Sequence, residues 1–185
     1  MSRRRVVVTG LGCISPVGNT VEAAWSQLLA GQSGIDLITK FDATNFACKI
    51  AGEVKGFDLE SYISAKEART MDTFIHYGLA ASVDALKDSG LDLDSVDRHQ
   101  VGVCVGSGIG GLPLIEETHD AYLAGGPRKI SPFFVPGSII NMISGQLSIM
   151  FGLKGPNFSV VTACTTANHC IGEAGRLIEY GDADV

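Results

Sequence analysis

Long apolar runs are missing from this chain. None reaches the ~18 residues that a membrane-spanning helix needs. Arg3, Arg4 and Arg5 open a basic start, read as a solvated terminus. The apolar stretch behind them is interrupted by Thr9 and Gly10, so the core of a secretory signal does not form. A basic excess is missing as well: 14 Lys and Arg stand against 20 Asp and Glu, for a net charge of −6. That balance excludes a general nucleic-acid binder. Cysteine is sparse and unpatterned. The five cysteines, at 13, 48, 104, 164 and 170, show neither metal-ligand spacing nor the density of a disulfide framework. The expected compartment is therefore the reducing cytoplasm. Internal repeats, linkers and low-complexity tracts are absent too. Proline is scarce, with 6 residues against 23 glycines, which points to many tight turns and close backbone contacts. What remains is an ordinary globular composition, 45% hydrophobic and 18% charged over 185 residues. That is one domain's length, enough for a core.

The elements read as follows. Arg5 to Leu11 is almost continuously apolar and predicts a strand covered on both faces. The glycines of Thr9–Gly12 lack the third glycine and the distant acidic residue of a dinucleotide fingerprint. Asn19 with Glu22 reads as a capping box for a helix to about Ala30, ended by Gly31. Short extended pieces follow near Ile35–Phe41 and Lys49–Val54. Ser64 and Glu67 form a second capping box. A long helix then fills Thr70–Ser89, with Met71, Phe74, Ile75, Gly78, Leu79, Ser82 and Leu86 inward and Gly90 as its stop. Val101–Val105 reads as a buried strand leading into Gly106-Ser-Gly-Ile-Gly-Gly. No Lys-Ser/Thr follows that run, so it is not a P-loop. Leu112 to about Leu123 is helical, Gly125–Pro136 a loop, and Ser138–Phe151 helical, broken by Gly155-Pro156. Apolar strands alternating with helices predict an α/β fold with a mainly parallel sheet.

The rest of the chain is organised around Gly155–Tyr180. Phe158–Thr162 is β-prone. Ala163-Cys164-Thr165-Thr166 can turn into a helix, and Ile171, Ala174, Leu177 and Ile178 share one helical face. Cys164 thus stands where a strand hands over to a helix. Unpaired N–H groups and the helix dipole favour an anion there. They stabilise a thiolate over a thiol and point to a nucleophile with an oxyanion donor beside it. The plain alternative is one more buried small apolar residue.

GPNFSVVTACTTANHCIG resembles the active-site segment of the β-ketoacyl-acyl-carrier-protein synthases, condensing enzymes of the thiolase-like superfamily. VVVTGLGCISPVGN at Val6–Asn19, LLAGQSGI at Leu28–Ile35, AKEARTMD at Ala65–Asp72, GSGIGGL at Gly106–Leu112 and GGPRKISPFFVPGSIINMISG at Gly125–Gly145 resemble the same family, in its order. Ile109 and the Pro132–Pro136 run resemble its type II members rather than type I.

The resemblance implies a thiolase-like α/β fold, layered α-β-α-β-α in the complete enzyme, of which residues 1–185 form the N-terminal half. It implies Cys164 as the nucleophile of a decarboxylative Claisen condensation that lengthens an acyl chain by two carbons in fatty-acid synthesis. It also implies two catalytic histidines and a supporting lysine outside this chain, so that 1–185 alone does not elongate. Ile109 and Phe134 are implied for the acyl pocket, with Phe134 reaching across a homodimer interface. Lys66, Arg69, Arg128 and Lys129 are implied for docking an acidic acyl carrier protein, loaded with acyl or malonyl groups. Core packing for the first pair and a solvated surface for the other four are the plain alternatives. No metal or organic cofactor is implied, because the thioester already activates the α-carbon, and neither nucleic acid nor membrane is an expected partner. His76, His99, His119 and His169 match no catalytic motif. On a helix, His169 points roughly 140° from Cys164 and reads as structural or packing.

Two departures stand out. Thr70 takes the place of a basic docking residue, and Ala167-Asn168 that of a smaller, glycine-containing pair, which would press on the packing under the nucleophile helix. A non-catalytic partner subunit with the same fold is the other reading, and the presence of Cys164 argues against it. A thiolase or a polyketide ketosynthase is the nearer enzymatic rival.

Overall fold

The computed structural model describes residues 4–185. Two compact units are present. One contains the residues up to Val8, Ile63–Leu79 and Leu91–Val185, and the other Thr9–Tyr62 and Ala80–Gly90.

In the second unit, α1 (Val21–Leu29) is capped by Thr20, whose Oγ1 accepts from the Ala23 N–H. Asn19 does not take that role, because its Nδ2 donates to the Lys55 carbonyl at 2.8 Å. Gly31, at φ 68°, leaves the helix as expected. The two extended pieces pair as an antiparallel hairpin, β1 (Ile35–Leu37) with β2 (Ile50–Gly52), register Ile35 to Gly52. Residues 80–88 of helix α3 (Thr73–Asp88) also belong to this unit. Gly12 lies flat against them: a Cβ there would sit 1.9 Å from the Ala81 carbonyl oxygen. The glycines of Thr9–Gly12 therefore serve close backbone packing, not phosphate binding.

In the first unit, the predicted Ser64–Glu67 box caps α2 (Ala65–Ala68) with both reciprocal bonds present. The first half of α3 buries Ile75 and Leu79 completely. α4 (Leu112–Gly125), α5 (Phe134–Ser138) and α6 (Met142–Phe151) follow. α6 buries Ile143, Ser144 and Leu147 and ends at Gly152, φ 64°, ahead of the expected Gly155-Pro156 break. The parallel pair β3 (Val103–Cys104) and β4 (Asn157–Phe158) runs beneath α7 (Thr166–Tyr180) and α6.

Three strand expectations are corrected. Arg5–Leu11 forms no ladder among the described residues, and Val7 and Val8 are exposed. Val101–Val105 contributes only the two-residue strand β3, and of Phe158–Thr162 only Phe158 enters a strand, β4. A strand is completed by its neighbour's hydrogen bonds, and apolar propensity alone cannot supply the neighbour. Residues 184–185 do approach ladder geometry, since Val185 N–H donates to the Gln100 carbonyl and the Val185 carbonyl accepts from Gly102 N–H at 2.8 Å. At the start, Arg3 lies outside the described residues. Arg4 is tied to the Asp184 carboxylate, and Arg5 is exposed. No helix among the described residues is long and apolar enough to cross a membrane.

Candidate active site

Cys164 sits in a short 3-10 turn, Ala163–Thr165, that feeds directly into α7. The turn begins with Ala163 at φ 49°, the single left-handed non-glycine among the described residues. A Cβ in that region costs of order 1–2 kcal/mol, so the surroundings must hold the backbone there. Thr166 does much of this. Its buried Oγ1 accepts the Thr162 N–H at 3.0 Å and donates to the Ala163 carbonyl at 2.8 Å. The Thr165 N–H closes on the Thr162 carbonyl at 3.0 Å. His169 Nδ1 lies 2.6 Å from Thr162 Oγ1, so the exposed His169 braces the turn through a hydrogen bond rather than by core packing.

The result is a solvent-exposed Cys164, not the buried apolar residue of the alternative reading. Its backbone N–H has no acceptor among the described residues. Thr165, at the helix start, offers no side-chain cap to the first-turn N–H groups. An oxyanion at this turn would therefore meet the free Cys164 N–H and the positive end of a 15-residue helix.

The glycine loop seats against this turn. A Cβ on Gly106 would come within 2.2 Å of the Val160 carbonyl oxygen and 2.7 Å of Thr166 Cγ2, and one on Gly108 would touch Ala163 at 3.4 Å. Only glycine permits that approach at Gly106. One turn further into α7, Cys170 is buried, whereas Ile171, expected on the inner face, is exposed. The buried stripe instead runs through Thr166 and Cys170, with Ala174 and Leu177 half-buried. Cys104 on β3 lies beside Cys170, and burial, reinforced by the neighbouring Cys170 thiol, pushes the Cys104 thiol up to about 12.

The other candidate residues are not all gathered here. Ile109 is 74% exposed at the loop tip, so it is no core residue within this chain. Phe134 lines a separate apolar groove of 290 Å³ with Ile115, Thr118, His119, Tyr122 and Ile130. Lys66 and Arg69 are exposed at α2, Arg128 and Lys129 on the 3-10 turn Pro127–Lys129, and none of the four enters an ion pair among the described residues. Thr70 closes α2 by donating from its hydroxyl to the Glu67 carbonyl. Asn168 is exposed, so its bulk meets solvent and does not disturb the packing under α7. Sequence reasoning passed over Thr162, Thr166 and Asp72. The i, i+4 spacing of the two threonines across the turn was the available signal for the first pair.

Comparison with known proteins places this geometry. A family model described as "Beta-ketoacyl synthase, N-terminal domain" matches residues 3–185. The 3-oxoacyl-[acyl-carrier-protein] synthase 2 of Vibrio cholerae serotype O1 is 62% identical over 184 residues, which cover 100% of this chain and 44% of that protein. The chain thus spans less than half the length of the curated relatives it matches. Two solved structures share the fold. One is an ishigamide ketosynthase/chain length factor, 30% identical, with TM-score 0.90 over 98% of this chain and 46% of that one. The other is a ketosynthase, bound to a hexaketide, in complex with its type II polyketide acyl-carrier protein. It is 33% identical, with TM-score 0.83 over 98% of this chain and 49% of that one. The expected thiolase-like α/β arrangement is therefore present in its N-terminal part, and the chain belongs to the beta-ketoacyl synthase family, as an N-terminal ketoacyl-synthase domain.

Proposed function

We propose that this chain is the nucleophile-bearing part of a longer type II condensing enzyme that elongates fatty-acyl chains, with Cys164 as the acyl acceptor. The observation that carries the reading is an exposed cysteine on a strained turn at a helix start, with its own backbone N–H lacking an acceptor among the described residues. The sulfur attacks the carbonyl carbon of an acyl thioester. A C–S bond to Cys164 forms, the carrier's C–S bond breaks, and the carrier thiol leaves with a proton. Malonyl-carrier then loses CO2, and its α-carbon forms a C–C bond to the acyl carbonyl carbon. The Cys164 C–S bond breaks in that step, releasing a 3-ketoacyl product two carbons longer. The Cys164 N–H supplies one oxyanion donor to both acyl-transfer steps. The groups that assist decarboxylation belong to the part of the enzyme outside this chain.

The 62% identity to a 3-oxoacyl-[acyl-carrier-protein] synthase 2, against 33% to the ketosynthase of a type II polyketide system, supports fatty-acid rather than polyketide substrates. The carrier-bound ketosynthase supports an acyl carrier protein as partner. Lys66, Arg69, Arg128 and Lys129 are the docking cations, and Ile109 and Phe134 the acyl-pocket residues, the latter across a homodimer interface. The test is intact mass of the full-length enzyme after incubation with acyl-carrier, followed by malonyl-dependent turnover. An acyl adduct on Cys164 that malonyl-carrier discharges is expected. Turnover by a Cys164→Ala variant would overturn the assignment.

A further inference from the structure

Asp72 is buried, at 6% exposure, yet it is not in the nucleophile turn. It holds three segments together. Its backbone N–H donates to the Gly137 carbonyl at 3.1 Å, at α5. Its Oδ1 accepts the Phe74 N–H at 3.3 Å, at the start of α3. Its Oδ2 accepts the Leu114 N–H at 2.9 Å, in the first turn of α4. The last contact is the informative one. Gly111, which precedes α4, makes no side-chain cap, so a carboxylate from a distant part of the chain satisfies one of α4's orphan donors. Gly111 in turn is pressed onto this carboxylate: a Cβ there would lie 3.0 Å from Asp72 Cβ and 2.9 Å from Ser138 Cα. Its own N–H donates to the Ser138 carbonyl at 2.9 Å.

The segments tied by Asp72 are those that carry the proposed acyl-pocket residues. Ile109 stands two residues before Gly111 in the chain. α4 presents Ile115, Thr118, His119 and Tyr122 to the groove that Phe134 closes from α5. Resting on the acyl-transfer reading above, we propose that Asp72 is a positioning residue for acyl-chain selectivity: by capping α4 from outside and anchoring α5, it sets how the segments that carry Ile109 and Phe134 present those side chains to a long acyl tail, Phe134 across the interface. A short acyl group makes little use of those side chains. Releasing α4 therefore weakens long-chain transfer selectively, since a displacement of about 1 Å suffices to cost one to two orders of magnitude in a positioned reaction.

The experiment uses the full-length enzyme with Asp72→Ser and Asp72→Asn, each of which keeps a capping oxygen for α3. Serine is too short to reach Leu114, and asparagine can set an NH2 against the Leu114 N–H. Acylation of Cys164 is followed by mass with butyryl-loaded and palmitoyl-loaded carrier, normalised to iodoacetamide-titratable Cys164. The ratio of palmitoyl to butyryl kcat/KM is expected to fall about tenfold. An equal fall for both donors would reduce Asp72 to a structural residue and overturn the proposal, as would an unchanged ratio. Should the wild type acylate with neither donor, the acyl-transfer reading fails first and this proposal with it. Should both variants fail to fold, hydrogen exchange on wild-type enzyme decides. Palmitoylation of Cys164, unlike butyrylation, is expected to slow exchange at Leu114 and Ile115, and no difference would overturn the proposal.

Discussion

Cys164 and the Cys104–Cys170 pair flank the same helix start and have opposite environments. Cys164 rides an exposed turn whose backbone is left-handed at Ala163. Cys170, further along α7, is buried against Cys104 of β3, and that burial pushes the Cys104 thiol up to about 12. Residue type is identical at all three positions, so chemistry is assigned by placement. Cys164 is open to solvent beside an unclaimed N–H at a helix start, whereas Cys104, held under the helix against another thiol, is kept neutral by burial.

The largest expected effect tests this contrast directly. Burial holds the Cys104 thiol up at about 12, above the 9.0 of an ordinary thiol, so it is far poorer in thiolate at neutral pH. Limiting iodoacetamide on the folded full-length enzyme should therefore label Cys164 first. Cys104 should stay unlabelled until the pH nears its own ionisation. Mapping that finds Cys13, Cys48, Cys104 or Cys170 modified while Cys164 is untouched would remove the contrast. Exposed Cys48 is the strictest internal control, because it lies outside any helix.

A second variant acts on Cys164 without touching its sulfur. Thr166→Val removes the hydroxyl that accepts from Thr162 and donates to Ala163. It should cost about 1–3 kcal/mol, the range for a buried donor or acceptor left unpaired, read as a lowered urea midpoint. Acylation of Cys164 should slow roughly tenfold through loss of the preorganised turn, while Cys104 and Cys170 remain as protected as before. Acylation at the wild-type rate would show that the turn holds its shape without Thr166.

The smallest effect comes from changing charge far from either cysteine site in sequence. Lys66→Glu with Arg69→Glu should raise KM for carrier-bound substrate a few-fold at low salt and leave alkylation of Cys164 unchanged. Exposed charges act over a Debye length of about 10 Å at 0.1 M salt, so the effect should fade as salt rises. An unchanged KM at low salt would take these two residues out of the docking surface.

Local signals in the sequence foretold the helices well. The Ser64–Glu67 box, the inner stripe of α3 through Ile75 and Leu79, and the stop at Gly90 depend on residues within a few positions of one another. The placement of Cys164 at a turn into a helix was legible for the same reason. Capping at α1 was less so: Asn19 and Thr20 are both good caps, and the choice fell to Thr20 because Lys55 offered Asn19 a carbonyl.

By itself, the sequence determined the helix-forming segments, the family motifs and the identity of the one cysteine at a strand-to-helix junction, since each is a property of short-range order. Only the tertiary structure decided which of the apolar segments found a ladder partner. It also decided that Ala163 is held left-handed by Thr166, that Cys104 and Cys170 are neighbours, and that α4 takes its cap from Asp72, a residue 42 positions away. Those outcomes turn on hydrogen bonds and burial between segments remote in the chain, and no window of neighbouring residues contains both partners.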